Sequence, residues 1–225
     1  MILSSKYRFV FVHIPKTAGI SVTESLKPFS DDRKRSLAKS IKRRLPFIEN
    51  PNHVHFREHE PALKMVQKLS RRRFDELTSF SVVRDPFDHA VSHYEYMKQF
   101  RIASVAEKVG AMTFNEYLRY RTKKPFWNDT VFARLPDQCY FLMDSNNQIC
   151  VDRLIRFENL QQEMQALAAD LDLKGYQLPH KNKTKSQRKP LRSYYDQESI
   201  DLVRKIYRRD FEHLGYSIDF LTQAT

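Results

Sequence analysis

Phe9-Val10-Phe11-Val12 is apolar at four consecutive positions, the pattern of a strand buried on both faces. Pro15 stops it, Lys16 to Ser21 turn, and Val22 to Leu26 read as a helix. Ser79 to Val83 repeats the design. A buried strand meets the turn Arg84-Asp85-Pro86, and Pro86 opens a helix through Met97, capped by Asp85. Between the two units, Ala62, Leu63, Met65, Val66 and Leu69 form a helical stripe that begins behind Pro61. Further along, F-x-x-Y-L-x-x-Y predicts an amphipathic helix from Thr113 to Arg121. Asp137 to Met143 and Gln148 to Phe157 read as strand material split by a turn at 144–147, with Val151 to Phe157 alternating best. Asn159 is placed as the cap of a helix from Leu160 to Leu171, and Asp196 to Phe211 is read as the last helix.

Strands alternating with helices predict one α/β domain over residues 1–225, a parallel-centred sheet flanked by helices. Ligands of such sheets gather at the C-terminal ends of the strands. Lys16 to Ser21 and Arg84 both fall there. Helix N-termini favour anions through their unpaired N–H groups and their dipole. Lys16 adds a charge, Thr17 and Ser21 add hydroxyls, and Gly19 allows close backbone approach. Ser92 lies eight residues after Arg84, about two helical turns on, so a guanidinium and a hydroxyl reach one phosphate. The ordinary alternative for Arg84 is a structural pair with Asp85 or Glu158. The first turn is not the loop of nucleotide triphosphatases, because Lys16 precedes the glycine instead of following it.

Composition sharpens this picture. The 225 residues are 41% hydrophobic, enough for a core, and carry a net charge of +12, which suits an anionic partner. Basic runs at 33–44 and 181–192 could serve phosphates of nucleic acid, but no nucleic-acid-binding motif accompanies them. A phosphoryl-transferring kinase would need Mg²⁺ and the other lysine order. The two cysteines fit core packing, not a metal site or disulfide framework. No secretory leader pattern opens the chain and no run approaches a membrane span, so a soluble, cytoplasmic protein is expected. His53, His55 and His59 cluster before the Ala62 helix. His59, near its N-terminus, is kept neutral by the dipole, as a general base requires. A metal site built from the three histidines is the competing reading, but no fourth ligand is spaced to match.

HIPKTAGIS at 13–21, VVRDPFDHAVSHYEY at 82–96, VDRLIRFENL at 151–160 and the stretch from LPHKNKTKSQRKPLRSYYDQES into YRRDFEHLGY occur in one order. In that order the chain resembles sulfotransferase family 2, the carbohydrate sulfotransferase superfamily, in its compact bacterial form, from about Phe9 to Tyr216. The resemblance implies a P-loop-like sulfotransferase fold and transfer of a sulfuryl group from 3′-phosphoadenosine 5′-phosphosulfate, without a metal. The acceptor would be a hydroxyl of a carbohydrate, a glycolipid or another compound, acidic or neutral. Lys16, Thr17, Ala18, Gly19, Ile20 and Ser21 match the loop for the 5′-phosphosulfate, Arg84 and Ser92 the pair for the 3′-phosphate. Lys183, Thr184 and Arg188 match a late loop that closes on the nucleotide. His59, in His59-Glu60-Pro61-Ala62, matches the catalytic base of bacterial relatives, and His55 that of heparan-type relatives. Two positions depart from the family: Ile20 replaces a usual threonine, and His89 replaces a common arginine.

Overall fold

The computed structural model describes residues 2–31, 56–123, 135–179 and 189–220. They fall into two compact units, Met1–Val83 with Tyr140–Asn182, and Arg84–Cys139 with Lys183–Thr225.

The first unit holds a four-stranded sheet in the order β1 (Ile2–Ser4), β2 (Phe9–Val12), β3 (Thr78–Val83), β4 (Arg153–Arg156). β2, β3 and β4 run parallel, with Phe11 opposite Phe80 and Val82 opposite Ile155. The α/β expectation is met, with a parallel centre. β1 adds an antiparallel edge that the pattern does not announce, because three residues are too few to show a period. All four side chains of β2 are fully buried, as its unbroken apolar run requires. Phe9, Phe11 and Phe80 stack within one core with Val22, Leu26, Met164 and Leu167. Those last four come from helix α1 (Gly19–Leu26) and the helix Leu160–Asp170.

Three local expectations are corrected. Helix α1 starts three residues earlier than the apolar pattern suggests. Asn159 stands at the start of the Leu160–Asp170 helix, but its side chain makes no capping bond; a 3₁₀ turn over Phe157–Asn159 feeds the helix instead. Cys139–Leu142 is one helical turn, not a strand, and only an isolated bridge joins Met143 to Ile149. A short apolar run does not distinguish strand from helix. Here the amides of Gln138 and Cys139 both donate to the carboxylate of Asp210, a helix-start cap delivered from 71 residues away in sequence.

The second unit is helical. Pro86–Met97 is capped by Asp85, whose carboxylate accepts from the Asp88 amide at 3.0 Å. Ala103–Gly110 was not signalled: only Val105 and Val109 are buried, and no polar side chain caps its start. Phe114–Lys123 is as expected. The last helix is two, Gln197–Ile206 and Arg208–His213, broken at Tyr207. Asp196 and Ser199 close a reciprocal capping box at its start. Phe87, Tyr94, Tyr117, Val203, Tyr207 and Phe211 share the core of this unit.

Asp210 is fully buried and also accepts from the side-chain amide of Gln138 at 3.1 Å. Replacing it by alanine strands three buried donors. Asp210→Ala should cost at least roughly 3 kcal/mol, at about 1 to 3 per unsatisfied group, measured by urea unfolding. A loss under about 1 kcal/mol would show that the hub is not structural.

Candidate active site

The loop after β2 is built on unusual backbone. Lys16 and Ala18 both adopt left-handed conformations, at φ 67° and 60°, although neither is glycine. Each such residue costs about 1–2 kcal/mol relative to the right-handed alternative. That strain is sustained only where surrounding contacts over-determine the turn. Left-handed residues alternating with others along a turn are the conformational signature of backbone nests that hold anions. Ala18 stands at the N-cap of helix α1 and makes no side-chain capping bond.

The residues in this loop divide by task. Thr17 is fully buried and its hydroxyl donates to the Ile14 carbonyl at 3.0 Å, which pins the turn. Ser21 is buried, Lys16 is half-buried, and Ile20 is 63% exposed. An apolar side chain thus stands in solvent at this position.

Gly19 has an ordinary φ. Its need for glycine is space: a Cβ there would lie 1.7 Å from Nε2 of His13. The sequence reading gave Gly19 close approach to a ligand; in the fold the close approach is to His13. The His13 imidazole is buried, stacks on Phe11 at 5.7 Å, and meets the His59 ring edge-on at 4.3 Å between centroids. Nothing in the alternation of the strand gave His13 a role, though it is the first residue beyond a fully buried strand.

His59 sits in a turn two residues before Pro61, the N-cap of the Ala62–Leu69 helix. Its Nδ1 is 3.1 Å from the His13 carbonyl. A carbonyl only accepts, so Nδ1 carries the proton and Nε2 carries the lone pair. Burial, more than any charge, lowers the His59 pKa; the bond to the carbonyl and nearby Glu58 oppose the shift without cancelling it. The ring is therefore neutral at pH 7. The turn is braced from below. Glu60 accepts from the Arg57 amide at 2.7 Å and from the Lys68 ammonium at 2.7 Å, with both charged side chains buried. Sequence reading missed this pair. The clue was Lys68 standing on the apolar stripe between Met65 and Leu69.

In the second unit, Arg84 and Ser92 do come together. Nη1 of Arg84 donates to the Ser92 hydroxyl at 3.0 Å. Its Nε and Nη2 grip Asp88, one helical turn on, in a two-pronged pair at 2.5 Å. Asp88 is thus a structural partner of Arg84. Gln138 fixes the backbone beneath: its amide nitrogen donates to the Arg84 carbonyl and its oxygen accepts from the Arg84 amide, each at 2.8 Å. His89 is fully buried, and its Nδ1 shares a hydrogen bond at 3.0 Å with the Tyr207 hydroxyl, which accepts from Arg121. His89 is thus part of the core. His53, His55, Lys183, Thr184 and Arg188 lie outside the described residues.

A family model described as the sulfotransferase family matches residues 1–217. The chain belongs to the sulfotransferase family. No curated protein and no solved structure matches it. Membership assigns sulfuryl transfer to a hydroxyl-bearing acceptor as the general activity. Among the described residues, no helix is long and apolar enough to cross a membrane.

Two outcomes test the loop. Gly19→Ala forces a methyl into a ring held between Phe11 and His59, so it should lower stability by about 1–3 kcal/mol, read by thermal unfolding; a neutral substitution would mean that the ring moves freely. Burial also pushes the His13 pKa down to about 2, helped by the charge of His59. The unfolded chain binds a proton below about pH 6.5 where the folded His13 does not, so stability should fall as pH drops from there, by up to about 1.4 kcal/mol per unit. Urea midpoints between pH 7.5 and 5 should show a steeper decline in the wild type than in His13→Asn; equal slopes would contradict the buried, neutral assignment.

Proposed function

We propose that this sulfotransferase moves a sulfuryl group from 3′-phosphoadenosine 5′-phosphosulfate to a carbohydrate or glycolipid hydroxyl by in-line displacement. The observation that carries the base assignment is the His59 ring, whose Nδ1 is tied to the backbone of the loop and whose Nε2 bears the lone pair. Fixing one nitrogen by a carbonyl determines which nitrogen takes the proton. The acceptor hydroxyl attacks sulfur while His59 Nε2 removes its proton. The new S–O bond forms as the bond to the bridging phosphate oxygen breaks. The electron pair leaves on adenosine 3′,5′-bisphosphate. Lys16 and the amides of residues 17–21 stabilise the charge gathering on that leaving group. The 3′-phosphate is assigned to Arg84 and Ser92, with Lys183, Thr184 and Arg188 as further contacts. The net charge of +12 supports an acidic acceptor. Loop amides and lysine supply the positive charge, so no metal is needed in this scheme.

Lys16→Ala should lower kcat by about 10² or more, the scale of a lost charge-stabilising donor. His59→Ala should lower kcat by about 10²–10⁴ while leaving nucleotide affinity within a few-fold. Normal turnover by His59→Ala together with loss in His55→Ala would transfer the base role to His55. The acid limb of kcat/KM should lie below pH 6.5, because burial lowers the His59 pKa; a limb above that value would contradict a buried neutral base.

A further inference from the structure

The same corner of the first unit brings together a donor set of which the proposed transfer reaction uses only His59. One donor atom each from His13, Glu58 and His59 lies within 4.8 Å of the other two. We propose that these three residues bind a divalent transition metal of the Zn²⁺ class, and that the bound ion switches the transferase off.

Three features support the site. First, the donors are two imidazole nitrogens and a carboxylate oxygen, a set that holds Zn²⁺ with a fourth position left for water. Nitrogen donors select Zn²⁺, Cu²⁺ or Ni²⁺ over Mg²⁺ and Ca²⁺, which prefer oxygen. Second, His59 is already oriented as metal-bound histidines are. Its other nitrogen donates to a backbone carbonyl, that of His13, at 3.1 Å. Its Nε2 is therefore the ligand atom. Third, the adaptable member is placed where adaptation is easiest. Bond lengths near 2.0–2.2 Å put tetrahedral donors roughly 3.3 Å apart, so the widest pair must close somewhat. His13 is buried and braced by Phe11, whereas Glu58 is exposed and can swing inward.

The regulatory consequence follows from one electron pair. The lone pair on His59 Nε2 either takes a proton from the acceptor hydroxyl or binds the metal. Occupancy and turnover exclude each other. The metal site rests on these three residues alone; the inhibition rests on the reading of His59 as the base.

The full chain, without donor or acceptor, is titrated with ZnCl₂ by calorimetry, with MgCl₂ as control, and Co²⁺ is used as a spectroscopic probe. One-to-one Zn²⁺ binding in the micromolar range, no Mg²⁺ binding and an intense tetrahedral Co²⁺ band are expected. Glu58→Gln should weaken Zn²⁺ by at least about tenfold, and His59→Ala should remove the site. Unchanged affinity for adenosine 3′,5′-bisphosphate in both variants shows that the fold is intact. Absence of saturable Zn²⁺ binding, or Zn²⁺ binding that ignores both substitutions, overturns the site. In the activity arm, Zn²⁺ should inhibit with the same midpoint as binding, and Glu58→Gln should shift both midpoints by the same factor. Binding with the expected variant pattern but undiminished turnover overturns the switch and points the base role away from His59.

Discussion

The imidazole of His13 fills the space that any side chain at position 19 would need, and the loop between them takes its shape from that contact. Close packing leaves no room to relax it: one face of the ring rests near Phe11 and its neighbour on the other side is His59. The chain must pass from the end of β2 to the start of α1 within six residues, and it does so with two strained left-handed residues, Lys16 and Ala18. The inward hydroxyl of Thr17 closes the turn from within. The proposed anion site is assigned to backbone amides and Lys16 more than to side-chain hydroxyls, and an exposed isoleucine at position 20 is compatible with that assignment. The same residue that shapes the loop offers its carbonyl to His59, so the geometry of the anion loop and the tautomer of the proposed base have one origin.

A parallel economy operates in the helical unit. Gln138 reads both the N–H and the C=O of Arg84, and Asp210 holds Gln138 in place. The amide orientation of Gln138 is determined, since its nitrogen serves two acceptors and its oxygen one donor. Arg84 therefore has a fixed backbone and, through Asp88, a fixed guanidinium plane, leaving Nη1 on Ser92. Pre-set positioning of this kind lowers the ordering cost of gripping a phosphate.

Much of this was legible in the residues. β2 declared itself because a continuous apolar run bounded by Pro15 has few alternatives, β3 was bounded by the Arg84-Asp85-Pro86 turn, and Asp85 caps the helix its position suggested. Residues 15–18 form the turn within the motif, with Gly19 to Ser21 already in α1, and Arg84 finds Ser92 at the spacing of two helical turns. The failures share a cause: each depends on a partner remote in sequence. Cys139–Leu142 is helical because Asp210 caps it, Lys68 is buried because Glu60 receives it, and His13 matters because Gly19 makes room. No local period encodes those meetings. Ala103–Gly110 escaped for the opposite reason, since two buried valines and no cap give little pattern at all.

The proposed assignments, the loop at 14–21 to a 5′-phosphosulfate and Arg84 with Ser92 to a 3′-phosphate, are tested most directly by calorimetric titration of adenosine 3′,5′-bisphosphate, with 5′-AMP and ATP as controls. The account predicts one-to-one binding that strongly prefers the 3′-phosphorylated ligand and loses that preference in Arg84→Ala. Absent binding, or equal affinity for all three nucleotides, would contradict it.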